Sequence, residues 1–260
     1  MKPWFLIYES GPGTAAYNMA VDEFLFQFCR AGQDSFLRLY SWEKPTFSIG
    51  ASQKIERAVN IEEVVARDCA YVRRPTGGKT VLHDQEITYA VATAAPHFIN
   101  ESDLFHSYRD LSMILSSALA AVGVQATLAE SASAAQVRSN LPCFSFPTSH
   151  ELEVNGKKII GSAQKRDQFA LLQHGSLPLT MDFELYAAGT AFNSADIRSA
   201  MITLSEVSSC SRREMEQAFI DAFASFSGAP LENYEFSLLD REKINELEKK
   251  YLSADWNHLR

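Results

Sequence analysis

PCFSFPTSHELEVNGKKIIGSAQKRDQFALLQHGSLPL, from Pro142 to Leu179, decides how this chain is read. Its centre is a hairpin. His150 to Val154 alternates polar and apolar residues, Asn155-Gly156 follows, and Lys157 to Ala163 returns. An Asn-Gly pair between alternating segments is the strongest short hairpin signal, because both residues accept the positive φ of a tight turn. Successive strand residues face opposite sides of a sheet, so Lys157 and Lys158 point apart and one of them is solvated. Alternation alone does not say which. Gly161 inside the returning strand marks a bulge or the close approach of another backbone or of a ligand.

Cys143 precedes the hairpin, in a loop opened by Pro142 and closed by Pro147. A free thiol has a pKa of roughly 8.5, so only a few per cent is thiolate at neutral pH. An ammonium group carried back along the hairpin would raise that fraction. On these grounds a nucleophile and a buried packing cysteine are equal readings. Cys29 and Cys69 sit in helical patterns as packing residues, and Cys210 completes a set with no C-x-x-C pair. That excludes a zinc site or a disulfide framework as the organising device.

Upstream, Trp4 to Glu9 reads as a strand, Ala15 to Arg30 as a helix, and Phe36 to Trp42 and Thr46 to Ile49 as strands. In the helix, Ala20, Val21, Phe24, Leu25 and Phe28 form the apolar stripe, with Asn18, Asp22 and Glu23 on or beside the polar face. Asn60 and Glu63 make a capping box for a short helix through Ala66. The segment Tyr71 to His83 contains Gly77-Gly78-Lys79-Thr80, the tail of a phosphate-binding loop. That motif requires glycine where Arg73 stands and must feed a helix, whereas Val81 to Ala94 alternates like strands. What remains is strand, glycine turn, strand. Glycines without a Cβ let a ligand approach the backbone, and an ordinary tight turn reads equally well. Arg73 and Arg74 fall on opposite faces, one toward a site and the other solvated.

Leu104 to Val122 is an amphipathic helix, and Ser131 to Asn140 is a small, polar loop. Phe183 to Ala188 and Asp196 to Leu204 read as short helices. Ser211 to Glu214 is a capping box opening a helix through Phe226. Leu238 to Tyr251 is a charged helix followed by a tail. The reading is one catalytic domain over residues 1–260, with a core of about 30–235 and a C-terminal helix and tail over about 236–260. Its class is α+β, a mixed sheet with packed helices.

The 260 residues carry 46% hydrophobic and 22% charged side chains and a net charge of −8. That balance speaks against a general nucleic-acid binder, which needs a basic face. No apolar run reaches bilayer-spanning length, and the apolar stretch in the first nine residues is too short for a signal peptide. A cytoplasmic location with no membrane partner follows as the expectation.

The central stretch resembles the cysteine-dependent octanoyltransferases, a branch of the lipoate–protein ligase and biotin–lipoate ligase superfamily. Their pattern resembles C-F-x-x-P-S…E…G-x-K-x-x-G-S-A-Q-x-R…L-Q-H-G-S. This chain supplies Cys143, Phe144, Pro147, Glu151, Gly156, Lys158, Gly161, Ser162, Ala163, Gln164 and Arg166, then Leu172 to Ser176, with Thr148 in place of the serine. The pattern selects Lys158 over Lys157. Asn18 to Glu23, Leu37 to Trp42, Ser48 to Gln53, and Arg73 to Gly78 with His83 and Asp84 extend the resemblance along most of the chain. Lys79 stands where the ligases usually carry a third glycine.

The resemblance implies a largely antiparallel central sheet flanked by helices, as in the biotin and lipoate ligase catalytic domains, and a monomer. It implies transfer of octanoyl from octanoyl-acyl carrier protein, through a cysteine thioester, to the lipoyl-domain lysine of an apo protein such as the glycine cleavage H protein. Cys143 and Lys158 are the implied catalytic residues. Arg74, Thr76, Gly77, Gly78, His83, Gly161, Ser162, Ala163 and His174 are the implied substrate-binding residues, with no metal and no cofactor. The alternatives are an ATP-dependent lipoate–protein ligase, which would need ATP and magnesium, a lipoyl-domain amidotransferase, and a non-enzymatic lipoyl-domain binder.

Overall fold

The computed structural model describes residues 4–32, 34–94, 104–129 and 151–259. Cys143, with Phe144, Pro147, Thr148 and the expected 131–140 loop, lies outside them. The strands are β1 (Trp4–Tyr8), β2 (Ser35–Tyr40), β3 (Thr46–Ile49), β4 (Ala70–Arg73), β5 (Val81–His83), β6 (Glu86–Ala94), β7 (Thr127–Leu128), β8 (Leu152–Val154), β9 (Lys157–Arg166), β10 (Ala170–Pro178) and β11 (Glu232–Asn233). Eight of them form one sheet in the order β11-β1-β2-β6-β10-β9-β8-β7. β1 runs parallel to β2 and β11, and every other pairing in that sheet is antiparallel. The sheet is therefore mixed and largely antiparallel, as expected. β3, β4 and β5 form a second, small sheet with β3 in the middle. The strands on either side of the glycine turn do not pair with each other; both pair with β3.

The central strands β2, β6 and β10 are buried on both faces, and period-2 alternation sorts their side chains between two cores. Leu37 and Leu39 of β2, with Ile87, Tyr89 and Val91 of β6, meet the helices Leu104–Ala121 and Arg212–Ser227. Phe36 and Tyr40, with Ala90, Ala92 and Ala94, meet α1 (Ala15–Ala31). The run of alanines on that face of β6 leaves room for α1 to settle directly on the sheet. The helix Leu238–Leu252 then packs on α1, its Tyr251 hydroxyl donating to Glu23 at 2.6 Å.

The caps explain where these helices begin. Thr14 accepts from the Tyr17 amide at the start of α1. Ser211 with Glu214, and Ser237 with Asp240, are complete capping boxes. The Asn155-Gly156 turn has φ of 54° and 72°, the two left-handed residues that a type I′ hairpin demands. The expected helix over 196–204 divides into Ser194–Ala200 and a short turn at Leu204–Glu206.

One expectation about α1 fails. Asn18, Asp22 and Glu23 are buried instead of forming a polar surface, because β2 and the C-terminal helix bring their partners. Arg38 of β2, wholly inaccessible, donates to Asp22 at 2.7 Å, to the Asn18 side chain at 2.9 Å and to Glu9 at 2.5 Å. Two carboxylates around one guanidinium compensate a charge whose isolated burial would cost several kcal/mol.

Candidate active site

β6, β10 and β9 lie side by side, and their register decides what faces α1. His174 stands opposite Ala90 and Ala163, and Ser176 stands opposite Thr88 and Gly161. Directly opposed residues share a face, so His174, Ser176, Thr88, Gly161 and Ala163 all point to the α1 side. Ser162 and Gly175 oppose each other on the far side, where the Ser162 hydroxyl is 2.7 Å from that of Tyr89. A Cβ on Gly175 would stand 2.6 Å from the Gly161 carbonyl and 2.6 Å from the Tyr89 ring. Only glycine lets β9 and β10 come together there.

Above this face the small sheet and the 74–80 loop close a narrow cleft of about 30 Å³. Met19, Tyr40, Trp42, Val81 and Ala163 make it apolar, and Ser48, Arg74, His83 and His174 supply its polar groups. Arg74, His83, Gly161, Ser162, Ala163 and His174, the sequence's binding candidates, thus line one cavity.

Thr76 and Gly77 join it through the loop. Thr76 bonds His174 Nε2 at 2.6 Å, and the Gly77 carbonyl accepts from Arg74 Nη2 at 2.7 Å. Gly78 has φ of 89°, a left-handed conformation suited to glycine. The loop leans on β3: the Ala51 amide donates to the Thr76 carbonyl at 2.8 Å.

Neither arginine is solvated, contrary to expectation. Arg74 spends its guanidinium on the loop, giving further bonds to the Lys79 carbonyl at 2.8 Å and the Ser48 carbonyl at 2.9 Å. Arg73 turns the other way and is equally buried. It donates to the carbonyls of Gly50, Gln53, Asn257 and Leu259 at 2.7 to 3.0 Å. The residues after Ser253, read from sequence as a plain tail, are thereby fastened behind the loop. Trp256 Nε1 completes the joint by donating to the Arg73 carbonyl at 2.7 Å.

Both histidines are carboxylate-bound. His83 Nδ1 is 2.7 Å from Glu86, and its ring stacks on Trp42 with centroids 4.3 Å apart. His174 Nδ1 is 2.7 Å from Asp22. Burial holds the His174 pKa below the ordinary 6.5, with Arg74 and His83 adding to the effect and Asp22 opposing it. Asp22 is held below the usual carboxylate range by His174 and Arg38, which together outweigh its burial. Sequence reasoning had named neither carboxylate as a site residue.

Lys158 is the buried member of the lysine pair, 1% exposed, with Nζ 2.6 Å from Glu151. Lys157 reaches outward to the Arg198 carbonyl at 3.0 Å. The hairpin thus sorts the two lysines as alternation required. Cys29 and Cys69 are buried, and desolvation raises the pKa of both thiols, that of Cys69 with help from Asp68. No cation opposes that shift at Cys29, and at Cys69 Lys44 and Arg67 do not outweigh it, so neither thiol is activated as a nucleophile's would be.

Comparison with known proteins adds a lineage to this geometry. Residues 14–224 match the lipoyl protein ligase A/B catalytic domain. The chain is 37% identical to an octanoyltransferase LipM of Kyrpidia tusciae, covering 99% of both proteins. It is 33% identical to the octanoyltransferase LipM of Bacillus subtilis, covering 100% of this chain and 99% of that one. Among solved structures, a lipoate-protein ligase A bound with ATP superposes with a TM-score of 0.85 at 21% identity, covering 99% of each chain. A bi-partite lipoate protein ligase from Thermoplasma acidophilum gives 0.84 at 20% identity, covering 100% of this chain and 98% of that one. These last two likenesses speak for the fold.

Proposed function

The chain belongs to the lipoyl protein ligase A/B catalytic-domain family, and on that premise we propose that it is an octanoyltransferase of protein lipoylation working through a thioester on Cys143. The observation that carries the reading is full-length similarity to proteins named octanoyltransferase LipM, in a chain whose motif residues line one apolar cleft with a polar end. A medium-length acyl chain would lie along its apolar lining. Methylenes leave water against Met19, Trp42 and Val81, each contributing about 0.8 kcal/mol on full burial.

In the first step the Cys143 thiolate attacks the thioester carbonyl of octanoyl-acyl carrier protein. A new C–S bond forms as the carrier's C–S bond breaks, and the carrier's sulfur leaves as thiolate and takes up the proton that Cys143 had released. In the second, a lysine amine of an apo lipoyl domain such as the glycine cleavage H protein attacks the acyl-enzyme. The amide C–N bond forms, the C–S bond breaks, and the amine proton returns to the Cys143 thiol. Thioester exchange is close to balanced and aminolysis is downhill, so ATP is not needed. Splitting the transfer lets one protein substrate leave before the other docks.

Lys158 supplies the cationic neighbour that favours thiolate and the developing oxyanion, and Glu151 fixes the direction of its ammonium. Arg74, Thr76, Gly77 and Gly78 form the loop wall over the acyl chain, with His83 and His174 at its polar end and Gly161 to Ala163 beside the thioester. The catalytic domain extends over residues 1–260, the segment after Ser253 bracing the loop through Arg73. The reaction belongs in the cytoplasm; no helix among the described residues is long and apolar enough to cross a membrane.

The test is a transfer assay with octanoyl-acyl carrier protein and apo H protein, with and without ATP. Octanoyl-H protein is expected at the same rate in both, and none with Cys143→Ala. Turnover that requires ATP and free lipoate would replace this reading with a ligase.

A further inference from the structure

Arg74 sits between two hydrogen-bonded chains of the same composition. On one side Nε donates to Thr76 Oγ1 at 3.2 Å, Thr76 Oγ1 is 2.6 Å from His174 Nε2, and His174 Nδ1 is 2.7 Å from Asp22. On the other, Nη1 donates to Ser48 Oγ at 3.1 Å, Ser48 Oγ is 2.8 Å from His83 Nε2, and His83 Nδ1 is 2.7 Å from Glu86. Each chain reads guanidinium, hydroxyl, imidazole, carboxylate. Asp22 and Glu86 are both buried, and the histidines they hold line the cleft while the carboxylates do not.

The direction of every proton follows from the carboxylate ends. An ionised carboxylate only accepts, so the ring proton of each neutral imidazole sits on Nδ1, facing Asp22 or Glu86. Nε2 is then the bare nitrogen and takes the hydroxyl's proton, which leaves the hydroxyl oxygen to accept from Arg74. Other donors converge on the same carboxylates: Tyr40 and Arg38 on Asp22 at 3.0 and 2.7 Å, Ser176 on Glu86 at 2.5 Å, and Thr88 on Glu86. They hold each carboxylate in place as an acceptor.

We propose that Asp22 and Glu86 are positioning residues for the acyl pocket. Each fixes one pocket histidine in its Nδ1–H tautomer, turning a hydroxyl so that it accepts from Arg74 and holds the 74–79 loop as the pocket wall. The role assigned to that wall rests on the octanoyltransferase reading; the tautomers and the bracing of the loop do not. If Asp22 becomes asparagine, its oxygen stays with Arg38 and its amide faces His174. The ring proton then moves to Nε2, Thr76 must accept from both His174 and Arg74, and the brace loosens. Glu86→Gln does the same through His83 and Ser48.

The experiment is nitrogen-15 NMR of the full chain labelled at histidine, with amide hydrogen exchange at Gly77 and Gly78 and the rate of Cys143 acylation by octanoyl-acyl carrier protein. Wild-type His83 and His174 are expected as Nδ1–H tautomers. Asp22→Asn is expected to move the His174 proton to Nε2, quicken exchange at Gly77 and Gly78, and slow acylation by about 10- to 100-fold, the effect known for loss of a metal-bound histidine's orienting partner. Glu86→Gln reads the other arm independently should Asp22→Asn not fold. Thr76→Ser should retain more activity than Thr76→Val, which keeps the shape and loses the hydroxyl. Either histidine carrying its proton on Nε2 in the wild type overturns the proposal. So does a tautomer that flips while loop exchange stays unchanged. Wild-type protein with the expected tautomers but no acylation of Cys143 overturns the octanoyltransferase reading alone.

Discussion

Gly50→Ala places a methyl group where the structure has no room. The residue follows β3, and a Cβ there would stand 1.9 Å from the Gly78 carbonyl oxygen and 2.8 Å from its carbon. Reaching even a 3.0 Å contact requires the two backbones to part by about 1 Å. Both are tied down. Gly50 gives its amide to Gln53 at 2.9 Å and its carbonyl to Arg73 at 3.0 Å. The loop is held by the Ala51 amide and by Arg74. Overpacking of this kind costs ~1–3 kcal/mol, or a fall in Tm of ~2–10 °C for a chain of this size. Activity should suffer more, because a 1 Å error in a substrate-positioning element costs about 100-fold. Rapid-quench measurement of acyl-enzyme formation, with thermal unfolding alongside, reads both effects. Gly77→Ala serves as the packing control: its Cβ meets nothing within 4 Å, so Tm should stay at the wild-type value. If Gly50→Ala acylated at the wild-type rate with unaltered Tm, the contact between β3 and Gly78 would not set the pocket wall.

Asn257→Ala removes the acceptor of the buried Arg73 amide, 2.7 Å away, and should lower stability by ~1–3 kcal/mol in urea while slowing acylation. Unchanged acylation would detach the C-terminal segment from the loop. Glu151→Gln withdraws the carboxylate from buried Lys158 and should cost about 3 kcal/mol, with a slower first transfer step; a stable, fully active variant would show that Lys158 needs no orienting partner. Because the His174 pKa is held below 6.5 in the folded chain, the unfolded chain takes up the proton first as pH falls. Stability from this group is therefore complete above pH 6.5 and declines below it. Urea midpoints at pH 7.5 and pH 5.5 should show that fall in wild type and a smaller one in His174→Gln; equal falls would assign the acid sensitivity elsewhere.

Local rules carried the sequence reading where the signals were local. Asn155-Gly156, the capping residues Asn60 and Ser211, and the alternation of β6 and of the Lys157–Ala163 strand each report on neighbours a few residues away. The arrangement of motifs in one cleft was legible through the resemblance, which carries topology that periodicity does not. What escaped depends on distant partners. Asp22 meets His174 from 152 residues away, and Arg73 meets Leu259 from 186 away. A signal for Asp22 existed: three- and four-residue spacing puts Asn18 and Asp22 on the same face as Leu25 and Cys29, which marks them as buried polar residues awaiting a charge. Arg38, in the middle of an apolar strand, was that charge. For Glu86 no comparable signal exists, since a carboxylate at a strand's first residue reads as solvent-facing.

The measurement closest to the centre of this mechanism is mass spectrometry of the protein after incubation with octanoyl-acyl carrier protein in the absence of ATP. One octanoyl group is expected per chain, localised to the Cys143 peptide, released by hydroxylamine and consumed when apo H protein is added. An unmodified Cys143 under conditions where H protein becomes octanoylated would contradict the thioester mechanism.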